Sequence, residues 1–252
     1  MKWNTKSTDL TVSTGLMDSI NNQNMKRIVV LTGAGISAES GISTFRDASG
    51  LWRNYRFEEL ATPEAWDRNP ELVMEFYNMR RKQLFEVEPN AAHYALVELE
   101  EKYDVHIITQ NVDDLHERAG STNVLHLHGE LKKARSTVAP NLVYELDRWE
   151  LKIGDKCEKG SQLRPHIVWF GEAVPMIGPA AEISSTADIF IIIGTSLVVY
   201  PAAGLTDYAK PDIPKFYIDP GASYAGGISN LTIIQKKAGE GVPEIVNSLM
   251  KR

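Results

Sequence analysis

Six residues near the start of the 252-residue chain, Gly33-Ala34-Gly35-Ile36-Ser37-Ala38, have the spacing of a dinucleotide-binding turn, with alanine in the third small-residue slot. Glycine at the first two positions lets the backbone turn tightly and approach a pyrophosphate, whose charge then meets the N–H groups that open a helix. A glycine-rich turn at a strand end can also exist with no ligand. A hydride-transfer enzyme would add an acidic residue about twenty positions on, ending a second strand. Glu58 and Glu59 stand near that distance but in a helical, aromatic stretch, so hydride transfer is the weaker reading. His128 is followed by Gly129 at the end of a strand pattern, where α/β folds place their ligands, and imidazole is suited to general-base work near neutral pH. Asn111 and Asp113 follow another strand pattern and read either as site residues or as turn formers. His116 and His126 read as structural histidines.

The elements that must position these residues alternate. Strand patterns occupy Arg27 to Leu31, Val105 to Thr109, Val124 to Leu127, Ile189 to Ile193, Lys215 to Ile218 and Leu231 to Ile234, with helical stretches such as Ala91 to Glu101 between several of them. Strands alternating with helices imply an α/β fold, a Rossmann-like parallel sheet covered on both faces. Two segments break the rhythm: 51–87, helical and aromatic, and 130–162, charged and irregular. They predict a small inserted domain, leaving 25–50, 88–129 and 163–252 as the nucleotide-binding domain. Val242 to Met250 suits a closing helix with Pro243 in its first turn, where a missing N–H costs nothing. Residues 1–24 are rich in Ser, Thr, Asn and Asp and read as a flexible leader, with Met25 as an alternative start.

With 43% apolar residues the chain can bury a substantial core, and a formal charge of −6 lacks the basic footprint of a nucleic-acid binder. No apolar run is long enough to cross a bilayer, so neither nucleic acid nor membrane is an expected partner. A single cysteine, Cys157, can form no internal disulfide and fits a cytoplasmic protein.

Five blocks carry a family resemblance, in one order along the chain: Gly33 to Arg46, Thr109-Gln110-Asn111-Val112-Asp113-Asp114-Leu115-His116, His126-Leu127-His128-Gly129-Glu130, Val168-Trp169-Phe170-Gly171-Glu172, and Gly194-Thr195-Ser196. Together they resemble the sirtuins, with Ser43 where proline is usual. The resemblance implies NAD-dependent removal of acyl groups from lysine in protein or peptide substrates, giving nicotinamide, free lysine and O-acyl-ADP-ribose. It implies that Asp113 and Ile36 hold the nicotinamide amide, that Asn111 and Gln110 position ribose and water, and that Phe45 shields the reacting face. Arg46 and Ser196 suit the ribose and phosphates, and His128 is the base. Gly33, Ala34, Gly35, Glu39, Trp52, Gly194, Thr195, Asp219 and Ala238 complete the implied cofactor site. Val168, Trp169, Phe170 and Gly171 would pair with the substrate backbone. ADP-ribosyl transfer, or NAD binding without catalysis, are the alternatives.

Two further expectations follow from the resemblance. Sirtuins commonly close a zinc site with two Cys-x-x-Cys pairs. Here the pairs fall near Ser136 and Ala139 and near Cys157 and Gly160, so no metal is expected and Cys157 reads as a buried small residue. Apolar packing must replace the metal, and Leu142, Val143, Leu146 and Trp149 have the spacing of a short amphipathic helix. Tyr77 and Arg80 lie three apart on one helix face. In the family such a pair marks acceptance of malonyl- or succinyl-lysine, because a guanidinium and a phenol can hold a terminal carboxylate. An ordinary solvated helix face is the other reading.

Overall fold

Strand Arg27–Thr32 (β1) is apolar from Ile28 to Leu31, a run that suits a strand covered on both sides. In the computed structural model, which describes residues 25–42, 56–222 and 227–251, Ile28 to Thr32 are all buried. Alternate side chains enter opposite cores. Val29 and Leu31 join Phe190, Ile192 and Leu205, while Ile28 and Val30 join Leu96, Leu99, Val242 and Leu249.

After β1 come α1 (Gly35–Ala38), α2 (Phe57–Leu60), α3 (Pro63–Arg68), α4 (Pro70–Leu84), α5 (Ala91–Leu99), β2 (Asp104–Thr109), α6 (Leu115–Ala119) and β3 (Val124–His126). There follow β4 (Gly129–Ser136), β5 (Val143–Glu145), β6 (Leu163–Ile167), α7 (Ile177–Ser185), β7 (Ile189–Ile193), a 3-10 helix over Ala202–Tyr208, β8 (Lys215–Ile218), β9 (Leu231–Ile234) and α8 (Ala238–Met250). The six strand patterns read from the sequence form one parallel sheet in the order β3-β2-β1-β7-β8-β9. That doubly wound, Rossmann-like order reverses direction between β1 and β7, so a crevice opens at their carboxyl ends. No helix among the described residues is long and apolar enough to cross a membrane.

The 51–87 stretch is helical where it is described, and its starts are written in the sequence. Thr62 and Asn69 each precede a proline, and their side chains accept the N–H groups of Ala65 and Leu72 at 3.1 Å. The closing helix departs from expectation. It begins at Ala238, not Val242, so Pro243 lies in its second turn. Gly239 and Gly241 hid that start because glycine is a poor helix former. Gly241 is nonetheless needed, since a Cβ there would sit 2.6 Å from Ile218 Cγ2.

The charged 130–162 segment is ordered as an antiparallel sheet, β5-β4-β6, which also takes in Leu163–Ile167. The helix expected over Leu142–Trp149 does not form; Val143 pairs with Arg135 as part of β5. The pattern that wins has period two. Leu142, Tyr144 and Leu146 pack against Met74, Ala134, Leu151, Cys157 and Leu163, while Val143 and Trp149 are exposed. Arg81, wholly buried on α4, ties this sheet down without any acidic partner among the described residues. It donates to Asn78 Oδ1 (2.8 Å) and to the carbonyls of Trp149 (2.7 Å) and Leu131. Asn78 in turn bonds both the carbonyl (2.8 Å) and the N–H (2.9 Å) of Leu151.

The positions assigned to zinc do not fit the metal. Ser136 Oγ and Ser161 Oγ lie 2.8 Å apart and reach Cys157 Sγ at 3.4 and 3.1 Å, and Ala139 and Gly160 offer no side-chain donor. One thiol and two hydroxyls bonded to one another are not a zinc set. Among the described residues no group of three or more His, Cys, Asp or Glu side chains could hold a metal. Elemental analysis is therefore expected to find well under one zinc per chain, and a strong chelator to leave the melting temperature unchanged; one zinc per chain, or a melting point lowered by chelation, contradicts this.

Candidate active site

The carboxyl ends of β1 and β7 are locked together by backbone. Gly33 N–H donates to Ile193 O (3.0 Å) and Gly35 N–H to Gly194 O (2.8 Å). A Cβ on Gly35 would lie 2.6 Å from Gly194 Cα, and one on Gly194, whose φ is 60°, would lie 2.4 Å from Ile36 N. Only glycine fits either position. The helix opened by this turn is a single turn, and the N–H of Ile36 is bonded to Gly33 O (3.1 Å). Three of the turn's N–H groups are thus spent within the protein. Ala34 is half-buried, and the Ile36 side chain is in the core.

This lock delivers Ser37 to a buried polar cluster. Ser37 Oγ donates to Asp113 Oδ2 (3.0 Å), and Asn111 Nδ2 donates to Ser37 Oγ (3.1 Å) and Gly33 O (3.2 Å). Asn111 N–H is held by Thr109 Oγ1 (3.0 Å), which receives Thr32 Oγ1 at 2.8 Å. Burial pushes the Asp113 carboxyl up, while the Leu115 N–H, the Ser37 hydroxyl and the charges of His126 and Arg80 pull it down, leaving it raised. Gln110 Nε2 donates to the buried Thr195 Oγ1 (3.1 Å), beside half-buried Ser196.

His128 faces the same edge. Its Nδ1 lies 3.0 Å from Gln110 O, and since a carbonyl only accepts, the proton sits on Nδ1 and Nε2 keeps its lone pair. Burial depresses its pKa, and the Gln110 carbonyl offsets this only in part. Gly129, at φ 80°, has no room for a side chain because a Cβ would fall 2.0 Å from His166 O. His116 is buried edge-on to His93, with ring centres 4.9 Å apart, and its Nε2 meets Thr32 Oγ1 at 3.2 Å. Burial lowers both, His93 to about 4, as suits neutral structural rings.

The Val168–Gly171 segment is clamped from behind. Glu172 receives Arg164 through both oxygens (2.9 and 2.9 Å), Arg135 (3.0 and 3.1 Å) and the N–H of Trp169 (2.8 Å). The Arg164 guanidinium lies 3.4 Å above the Trp169 ring, and the indole N–H donates to Tyr77 Oη at 3.0 Å. Val168 N–H goes to His128 O and Phe170 N–H to Ala61 O, both at 2.9 Å. Phe170 is exposed and packs on Phe57 at 4.7 Å, and Gly171 is exposed. Tyr77 is buried, and burial pushes its hydroxyl up to about 12. Arg80 is half-buried; burial lowers it while Tyr77 and Asp113 hold it up.

The remaining cofactor expectations are scattered. Exposed Glu39 accepts Gly239 N–H (2.7 Å) and so caps α8, and Ala238 is buried at the start of that helix. Asp219 ends β8 at the same edge as the other strand ends and accepts Gly221 N–H at 2.8 Å. Phe45, Arg46 and Trp52 lie outside the described residues. Ser37, Arg135 and Arg164 were not singled out from sequence. Ser37 stood inside the glycine motif, and its hydroxyl beside two later polar blocks was the available signal.

A Sir2 family model matches residues 33–201. A protein of Helicobacter pylori (strain ATCC 700392 / 26695) named NAD-dependent protein deacylase is 55% identical over 229 residues, covering 90% of this chain and 99% of its own. A Sir2 homologue solved as an NAD complex superposes with a TM-score of 0.82 at 44% identity, covering 90% of this chain and 91% of that one. A Sir2 mutant solved with a deacetylated peptide and 3′-O-acetyl ADP-ribose gives 0.72 at 31% identity over 93% and 96% of the two chains. On a glycine lock at the β1/β7 switch, a polar cluster beneath it and this match over the same residues, the chain belongs to the Sir2 family.

Proposed function

We infer that the protein is an NAD-dependent protein-lysine deacylase acting on acylated protein or peptide substrates. The observation that carries this is the buried Ser37–Asn111–Asp113 cluster placed beside a histidine with a free Nε2. The cluster's chemistry fits NAD. A buried carboxylate suits the N–H₂ of a carboxamide, and amide side chains suit ribose hydroxyls. NAD when bound supplies the ribose carbon that the acyl oxygen attacks, with nicotinamide as leaving group.

In this reading Asp113 accepts the carboxamide, and Ile36 shapes the pocket beside it. Asn111 and Gln110 orient ribose and water, and Thr195, Ser196 and Asp219 line the way towards the rest of the dinucleotide. Phe45, Arg46 and Trp52 are assigned to the same site. His128 Nε2 takes a ribose-hydroxyl proton. The N–H groups of Val168, Trp169 and Phe170 are already bonded, so a peptide lying along this segment meets carbonyl oxygens and exposed Gly171. Tyr77, accepting from Trp169, keeps its own proton to donate, and Arg80 offers a fork of donors beside it. That pair selects a dicarboxylic acyl group such as succinyl. The influence of Tyr77 and Asp113 on Arg80 supports a guanidinium that stands between the acyl-reading Tyr77 and the polar cluster, within reach of both.

His128→Ala and Asn111→Ala are expected to cut NAD-dependent deacylation by roughly 100- to 10,000-fold while each variant still folds, Asn111→Ala with a lowered melting temperature because it strips donors from the buried cluster; a folded variant with normal turnover contradicts the assignment. The base must be neutral to act, and His128 lies below the ordinary value of 6.5. The acid limb of kcat/KM is therefore expected below pH 6.5, activity falling as pH drops through the His128 pKa; an acid limb centred above 6.5 contradicts this. For selectivity, a charge-assisted bond of about 1.5–3 kcal/mol gives a succinyl-over-acetyl preference of roughly 10- to 150-fold. Arg80→Met should abolish most of it by lowering succinyl turnover alone; equal loss on both substrates would show that Arg80 does not read the acyl carboxylate.

A further inference from the structure

Two histidines one residue apart treat the segment after β2 in the same way. His128 Nδ1 faces Gln110 O, and His126 Nδ1 faces the next carbonyl, Asn111 O, each at 3.0 Å. The rings differ at the other nitrogen. Among the described residues no carboxylate pairs with His128, whereas His126 Nε2 lies 2.7 Å from Glu117 Oε1. A carbonyl and an ionised carboxylate both accept only, so a ring bonded to both must carry two protons. The His126 side chain is 8% exposed, so this imidazolium is largely shielded from water.

We propose that His126, held as an imidazolium between Glu117 and the Asn111 carbonyl, is a positioning residue of the deacylation reaction. This rests on the reading of Asn111, Asp113 and His128 given above. Asn111 is gripped at its N–H by Thr109, at its amide by Ser37 and Gly33, and at its carbonyl by His126. Removal of the last grip frees the peptide between Asn111 and Val112, two residues from Asp113. The charge also acts directly on Asp113, favouring its ionised form.

The groups facing His126 fix the sign of its pH response. Burial opposes its charge, but Glu117 on α6, Glu130 on β4 and the Asn111 carbonyl outweigh this, so its pKa is raised. Glu117, pushed up by burial, is drawn below its usual value by His126 and by Lys133 of β4. The neighbouring His116 is neutral. As pH rises through the His126 pKa, the ring keeps one proton for two acceptors and must give one up. The carboxylate is the stronger competitor, so the Asn111 carbonyl is released.

The test combines kcat against pH with NMR titration of the His126 ring. Wild type is expected to lose kcat at high pH with the pKa of His126. His126→Gln should lower kcat at neutral pH by about tenfold or more, lack that alkaline limb, and keep both the acid limb and the peptide KM. Should His126→Gln fail to fold, Glu117→Gln, at a side chain 40% exposed, serves instead. It should lower the His126 pKa and displace or abolish the alkaline limb with it. Wild-type kcat and pH profile in folded His126→Gln, or an alkaline limb that stays in place when the His126 pKa moves, overturns the proposal. Asn111→Ala and His128→Ala run alongside separate the two levels. If these are inactive while His126→Gln is normal, only the positioning role falls; if these are active, the underlying site reading falls.

Discussion

The backbones of Gly35 and Gly194 touch, and the site follows from that contact. Strand ends in a parallel sheet stand about 4.8 Å apart, and a Cβ on either turn would force them further open. With glycine on both sides, the loop after β1 folds under the loop after β7, and Ser37 reaches across to Asp113 and Asn111 on the neighbouring strand end. The polar cluster is thus built from two loops, those after β1 and β2, with the loop after β7 bracing the first. Its burial raises the stakes of each bond, since an unpaired polar group there would cost about 1–3 kcal/mol.

The small sheet answers a different constraint, that of holding an insertion in place with one cysteine. Its inner face packs Leu142, Tyr144, Leu146 and Leu163 around Cys157, and Arg81 of α4 joins the insertion through two backbone carbonyls, those of Leu131 and Trp149. The same sheet supplies Arg135 and Arg164, which fix Glu172 and through it the Trp169 segment. Trp169 then meets Tyr77 of α4, so the segment that carries it is held between the small sheet and that helix.

Sequence made the large sheet legible because its central strands are covered on both faces, so β1 and β7 read as continuous apolar runs. Ile189–Ile193 and Lys215–Ile218 were readable to the residue. It made β5 illegible because Leu142, Val143, Leu146 and Trp149 satisfy a helical spacing as well as Leu142, Tyr144 and Leu146 satisfy a strand. The pairing with β4 that decides between them is a long-range contact. At the site, type and position in the sequence pointed to His128, Asn111 and Asp113, and these lie at the carboxyl ends of the neighbouring strands β2 and β3. The Ser37 hydroxyl was not singled out, because serine there is also an ordinary helix-start residue. Glu39 has a contact that its place in the glycine motif does not disclose, since its carboxylate accepts the Gly239 N–H at the start of α8, far along the chain.

In an NAD-dependent deacylase of this family, cleavage of NAD is coupled to acyl transfer from lysine. The most direct measurement is the mass balance of a reaction with NAD and an acyl-lysine peptide. Nicotinamide, deacylated peptide and O-acyl-ADP-ribose are expected in equal amounts, and none of them without NAD. Nicotinamide release with ADP-ribose attached to the protein or peptide and the acyl group still on lysine would contradict this.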